Sequence, residues 1–175
     1  MCCYVETLCE KTTIMTRAGS PRITLARLPD IPLQVLVEHM SDPRVAEHMP
    51  LLKDAWNRDI AADFVAAKEA CWHRDGLGHW AILADNRYLG WGGFQMEGGE
   101  WDFALVLKPD AFGLGARIAR KALAFARADA RISVVTFLLA PSRRNLRALE
   151  RLGATFVAEV EYAGAPFLKY RMEMK

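Results

Sequence analysis

The stretch Leu105-Val-Leu-Lys-Pro-Asp-Ala-Phe-Gly-Leu-Gly-Ala-Arg117 runs from an apolar strand through a short turn into two glycines spaced one apart at the mouth of a helix. The helix reads from Gly113 to Ala128, with Leu114, Ile118, Ala122 and Phe125 on one face. Ile132 to Leu139 comes next and is nearly all apolar, the pattern of a strand covered on both faces. A strand from Trp101 to Leu107, the helix and this second strand form a unit whose strands run parallel through a right-handed crossover. The glycines point several backbone N–H groups at one spot, where the helix dipole also favours negative charge. A phosphate-bearing ligand suits that spot.

Hairpins and short helices surround this unit. Arg22 to Leu28 reads as a first strand and Pro32 to Met40 as a short helix. Ser41 or Asp42 offers an N-cap, and Pro43 a first helical residue, for a further helix that Pro50 closes. Asp59 to Arg74 reads as a longer amphipathic helix with Ile60, Phe64, Ala67 and Cys71 on one face, stopped by Asp75-Gly76. Three strands follow in hairpin succession, His79 to Ala84, Tyr88 to Met96 and Trp101 to Leu107, joined by Asp85-Asn86 and Gly98-Gly99. After the buried strand, Asn145 to Leu152 reads as a helix stopped by Gly153. Thr155 to Tyr162 and Phe167 to Met174 read as a closing hairpin around Ala163-Gly164. The fold class is α+β, a mixed, mostly antiparallel sheet flanked by helices in three layers. Residues 1–21 read as a flexible arm and 22–175 as a single domain, with Met15 a second candidate start.

Composition narrows the function. No apolar run approaches the roughly 20 residues of a membrane span, and no secretory signal is visible. Cys2, Cys3, Cys9 and Cys71 have no paired spacing, and His39, His48, His73 and His79 are scattered. That pattern excludes a metal site and suits free thiols in a reducing cytoplasm. From Ala111 to Gly153 the only acids are Asp129 and Glu150, against Arg117, Arg120, Lys121, Arg127, Arg131 and four further arginines. Such a half favours an anionic partner. The basic residues lack interleaved aromatics, so they point to a phosphorylated cofactor rather than to nucleic acid.

No Lys-Ser or Lys-Thr follows the second glycine, so the loop is not a Walker loop. No third glycine and no repeated βαβ unit mark a dinucleotide fold. A second element, Pro141-Ser-Arg-Arg-Asn-Leu-Arg-Ala-Leu-Glu-Arg-Leu-Gly153, follows the buried strand directly. It puts Ser142 and Asn145 at a helix start, and Arg147 and Arg151 one turn apart. Together with Ser41-Asp-Pro-Arg-Val45, these segments resemble the GNAT-type acyl-CoA N-acetyltransferases. The likeness is strongest to the branch that includes ribosomal-protein N-terminal acetyltransferases, and it covers the chain from Arg22 to its end.

The resemblance implies a sheet that splays between Trp101–Leu107 and Ile132–Leu139, with the pantothenate arm of acetyl-CoA in the gap. Backbone groups near Val106 and Leu107 would pair with that arm. The N–H groups of Phe112, Gly113, Leu114, Gly115, Ala116 and Arg117 would hold the pyrophosphate, and Ser142, Asn145 and Arg151 would flank the cofactor. There are departures. Asp110 stands where the family has Gln or Arg, Ser142 where it has Asn, and Asn145 where it has Ser. Leu149 replaces the tyrosine that protonates the leaving thiolate in many members; a thiolate near pKa 8.5 leaves without much help.

The expected chemistry is direct transfer of the acetyl group to a primary amine, without a metal. A backbone N–H near Val106 or Leu107 would hold the developing oxyanion. Asp102 matches the strand position of a glutamate base in many members, and Asn145 is the second catalytic candidate. Glu97 and His79 are further candidates for the base. A protein α-amine costs only about 1 kcal/mol to neutralise at pH 7, and a lysine amine roughly 4.6 kcal/mol. A modest base therefore favours a peptide α-amine as acceptor. The alternatives are a small-molecule amine acetyltransferase of the same fold and an acyl-CoA-binding module without turnover. An acidic acceptor cleft would favour a polycation; a neutral, aromatic one, to which Trp56 is the best-placed tryptophan to contribute, would favour a peptide end. An exposed sheet edge and a free N-terminal arm would suit a homodimer.

Overall fold

The computed structural model describes residues 21–52, 54–143 and 146–174. Nearly all of the expected arm, with Cys2, Cys3, Cys9 and Met15, lies outside the described residues, and so does Asn145.

Seven strands form one sheet: β1 (Ile23–Ala26), β2 (His79–Ala84), β3 (Arg87–Glu97), β4 (Glu100–Leu107), β5 (Val134–Leu139), β6 (Thr155–Tyr162) and β7 (Ala165–Glu173). Their order across the sheet is β1-β2-β3-β4-β5-β7-β6. Only β4 and β5 are parallel neighbours; every other pair is antiparallel. Asp85-Asn86 takes φ of 48° and 64° and Gly98-Gly99 takes 57° and 87°. These are the positive values that two-residue hairpins with matching strand twist require.

Helices α1 (Leu33–Met40), α2 (Pro43–Ala46) and α3 (Arg58–Asp75) cover one sheet face. Helices α4 (Gly115–Ala128) and α5 (Leu146–Glu150) cover the other. Asp42 caps α2 by accepting from the Arg44 N–H, with Pro43 in first position. That helix ends at Ala46, so Pro50 lies beyond it and does not close it. Asn57 caps α3 by accepting from the Ile60 N–H, and Gly76, at φ 67°, stops it. Ala61 and Cys71 are the buried positions of α3, and Ala67, expected on the apolar face, is exposed. The helix after the glycine pair begins later than expected, because Pro109–Leu114 is a 3-10 turn and α-helical bonding starts at Gly115. Among the described residues no helix is long and apolar enough to cross a membrane.

The sheet divides in its middle. β4 and β5 pair only at Trp101↔Val135 and Asp102↔Thr136. Beyond those rungs β4 stays with β3 as far as Gly90↔Leu107, and β5 stays with β7 as far as Leu139↔Leu168. Below the division an aromatic series ties the halves together. Phe94 is fully buried and lies 5.1 Å from Phe103, whose ring is 6.0 Å from Phe137 of β5. Gly90 lets β3 lie flush on β4, since a Cβ there would stand 2.2 Å from the Val106 carbonyl oxygen.

Candidate active site

The pleat of β4 decides which backbone groups face the gap. The Lys108 N–H bonds Leu89 O at 2.7 Å, and Val106↔Trp91 and Gly90↔Leu107 are register partners. In an antiparallel ladder that phase turns the N–H and C=O of Asp102, Ala104 and Val106 towards β3. Those of Phe103, Leu105 and Leu107 are left to the open side. The expectation that Val106 offers backbone groups to a strand-like ligand is thus corrected: its backbone is used by β3, and only its side chain lines the gap. The backbone groups of Leu107, and with them those of Leu105, face the open side.

A cleft of roughly 120 Å³ opens at the wide end of the gap. Its walls are Leu105, Val106 and Leu107 on one side, Arg44, Val45, His48 and Met49 at α2, Phe112 and Gly115 at the helix mouth, and Arg143 after β5. No side chain caps the 3-10 turn or α4. The glycines have no internal reason to be glycine. A Cβ on Gly113 would meet nothing within 4 Å, and one on Gly115 only Leu107 Cδ1 at 3.7 Å. Neither has positive φ. A bare, uncapped helix mouth between Arg44 and Arg143 fits an anionic ligand approaching the backbone closely. Arg143 is held below its ordinary value by burial and has no carboxylate within 4 Å among the described residues. Asp110, the residue at odds with a phosphate site, is exposed and does not line the cleft.

Ser142 is engaged within the protein. Its hydroxyl donates to Glu47 O at 3.0 Å, which spends its one proton. The His48 Nδ1 contact of 3.0 Å must then be an N–H donating to Ser142 Oγ. This pair of bonds spans the cleft mouth from α2 to the loop after β5. Arg117 is partly buried on the first turn of α4, whereas Arg151 is exposed and lies outside the cleft wall.

The second half of the site lies on the α1–α3 face, beside the last paired rungs. Burial pushes the Asp102 carboxyl up to about 6, while the Thr136 hydroxyl, donating at 3.3 Å, favours its charged form. Gln95, its register partner, accepts from Lys68 Nζ at 2.7 Å and donates to Glu97. Tyr162, at the end of β6, donates to the other Glu97 oxygen at 3.2 Å. Glu100 is paired with Lys169 at 2.6 Å and, more loosely, with Arg171 at 3.8 Å. Arg171 is held more closely by Glu173, at 2.5 Å. Four acids, Glu97, Glu100, Asp102 and Glu173, thus stand beside three cations, Lys68, Lys169 and Arg171. Trp56, Phe64 and Trp91 run beside them, with ring centroids 5.3 and 5.0 Å apart in succession. His79 is buried against Trp91 on β2, with β3 between it and β4. Burial holds its imidazole neutral, well below the ordinary value. It does not face the gap, so it leaves the field of candidate bases. Leu149 is partly buried against the core, with no polar atom to offer.

Arg44, His48, Lys68, Gln95, Arg143 and Tyr162 were not singled out from the sequence. Arg44 and Arg143 had a signal, since they lie inside the quoted segments Ser41–Val45 and Pro141–Gly153; the others are assembled by elements far apart in the chain.

Residues 22–155 match the family described as acetyltransferase (GNAT) domain. No curated protein matches the sequence. Among solved structures, the chain resembles a GNAT-family acetyltransferase from Bordetella pertussis, with 21% identity, coverage of 88% of this chain and 97% of that one, and a TM-score of 0.70. It resembles AAC(6')-Ib in complex with ribostamycin and coenzyme A at 16% identity, 89% and 94% coverage, and a TM-score of 0.68. It also resembles spermidine N-acetyltransferase from Vibrio cholerae in complex with CoA and spermine at 10% identity, 87% and 95% coverage, and a TM-score of 0.68. At these identities the likeness is one of fold.

Proposed function

The chain belongs to the acetyltransferase (GNAT) domain family, and from that premise we propose that it moves an acetyl group from acetyl-CoA to a primary amine, with a peptide α-amine as the favoured acceptor. The observation that carries the cofactor reading is the glycine pair: two residues whose missing side chains serve no contact within the protein, at an uncapped helix mouth. Phe112 to Arg117 would hold the pyrophosphate, assisted by Arg143; Arg44, in the same cleft wall, is already paired with Asp42 at 2.7 Å. Leu105 and Leu107 would bond the pantothenate arm as a strand does. When bound, acetyl-CoA supplies a thioester whose C–S bond is exchanged for the C–N bond of the amide.

Asp102 serves as the proton acceptor. With a value of about 6 it is ionised at neutral pH, and it lies within about two units of an α-ammonium near 7.7–8.0. A lysine ammonium near 10.4 is a much worse match. The acceptor face carries the cations Lys68, Lys169 and Arg171 beside its acids and is flanked by Trp56, Phe64 and Trp91. Those cations and rings support a peptide end over a polycation. The likeness to the ribosomal-protein branch belongs to the same proposal.

Calorimetric titration with acetyl-CoA, followed by thiol-release assays, tests it. The acceptors are free α-amine peptides, N-blocked lysine peptides, spermine and an aminoglycoside. Binding with release on α-amine peptides is the expected result. Turnover of the polyamine alone would move the reading to a small-molecule enzyme, binding without turnover to a carrier module, and absence of binding would sink the cofactor site.

A further inference from the structure

We propose that the acceptor is an amine that also carries a carboxylate, and that Lys68 of α3 is the residue that reads it. The inference rests on the acetyl-transfer reading above and adds the acceptor's second functional group. Three cations stand on the acceptor face. Lys169 is committed to Glu100, and Arg171 to Glu173 and more loosely to Glu100. Lys68 has no carboxylate within 4 Å among the described residues.

Its ammonium is nevertheless held in place. It donates to Gln95 Oε1 at 2.7 Å and lies 5.5 Å from the Phe64 ring centroid and 5.6 Å from that of Trp91. One of its three protons is used by Gln95, and the π faces are weak partners for the rest. Gln95 is oriented by both neighbours, its oxygen towards Lys68 and its nitrogen towards Glu97. Burial holds the ammonium below the ordinary lysine value, so a counter-charge brought by a ligand would be strongly felt.

The spacing suits a zwitterion. Gln95 and Asp102 are register partners on one face, so their Cβ atoms stand about 4.5–5.5 Å apart. Lys68 caps the Gln95 side of that pair, and Asp102 is the other side. An acceptor that presents its nitrogen to Asp102 places a carboxylate a few atoms away towards Lys68. Glu97, satisfied by Gln95 and Tyr162, closes the far edge against a second carboxylate. The chemistry has two sources, a free amino acid and a peptide whose first residue is acidic.

Thiol release from acetyl-CoA, compared per unprotonated amine, is measured with alanine against alaninamide for the first source. Glu-initiated against Gln-initiated peptide amides serve for the second. A carboxylate–ammonium bond of ordinary strength gives about a 10- to 100-fold preference in kcat/KM for the acid of one pair. Lys68→Met brings that ratio to near one, and Lys68→Arg keeps it. Lys68→Gln replaces Met if the latter does not melt cooperatively. Equal rates for acid and amide in both pairs, or a preference that survives loss of the charge, overturn the role of Lys68 alone. No release with any of the four acceptors, despite acetyl-CoA binding, overturns it together with the transfer reading.

Discussion

Gly115→Ala separates the needs of the protein from those of its ligand. Gly115 is the first residue of α4 with φ −53°. The added methyl meets one atom, Leu107 Cδ1, at an ordinary contact distance of 3.7 Å. For the protein alone the substitution is therefore favourable. Alanine restricts the unfolded chain and suits a helix, which gains about 0.5 kcal/mol and raises the melting temperature by ~1–2 °C for a domain of this size. For a pyrophosphate on the backbone it is unfavourable, because the methyl stands where phosphate oxygens must approach the N–H groups. Loss of one charge-assisted bond is worth about 1.5–3 kcal/mol, roughly a 10- to 100-fold weaker Kd. Thermal melts with and without acetyl-CoA, together with calorimetric titration, read both quantities on one sample. The reasoning requires stability to rise while affinity falls, and Gly113→Ala, with nothing within 4 Å, should behave likewise. Unchanged affinity in both variants would refute it, since no ligand would then be using the space the glycines leave.

Asp102→Asn should remove an acidic limb near pH 6 from the kcat/KM profile and lower the plateau by about 10²- to 10⁴-fold. Its stability effect has a definite sign. The folded value of about 6 lies above the unfolded one near 3.9, so the group stabilises the fold below pH 4. That contribution, about 2–3 kcal/mol, is lost as pH rises through 6. Denaturant midpoints between pH 4 and 7 should therefore fall in the wild type and stay flatter in Asp102→Asn; parallel curves would count against the assignment. Arg143→Ala should weaken acetyl-CoA binding about 10- to 100-fold and make it less sensitive to salt, checked by titration at two ionic strengths; equal salt slopes would exclude Arg143 from phosphate binding.

The parts of the site carried by contiguous residues were legible in the chain. The helix mouth from Phe112 to Arg117 is one segment, and its glycines, its preceding strand and the apolar strand after it are each local patterns. The parallel pair and the hairpins followed from the same patterns, because strand alternation and turn residues are short-range signals. Element ends were less well defined. Pro109–Leu114 winds as a 3-10 turn rather than as the first turn of α4, since at a helix end few bonds select α over 3-10 geometry. The exposed Ala67 shows the limit of periodicity, as alanine fits either face of a helix.

By itself the sequence determined the class of sheet, its one parallel crossover, and the glycine-bearing helix mouth at the start of α4. All of these depend on residues within a few positions of each other and on the handedness of the chain. Only the tertiary structure decided which β4 carbonyl and amide groups face the gap, because that depends on the phase of its ladder with β3. It alone set Lys68, Gln95, Glu97 and Tyr162 in one hydrogen-bonded row beside Asp102. Those residues come from a helix and strands separated by up to 94 positions in the chain. Their charges and polar atoms acquire meaning only from the partners and the burial that packing gives them.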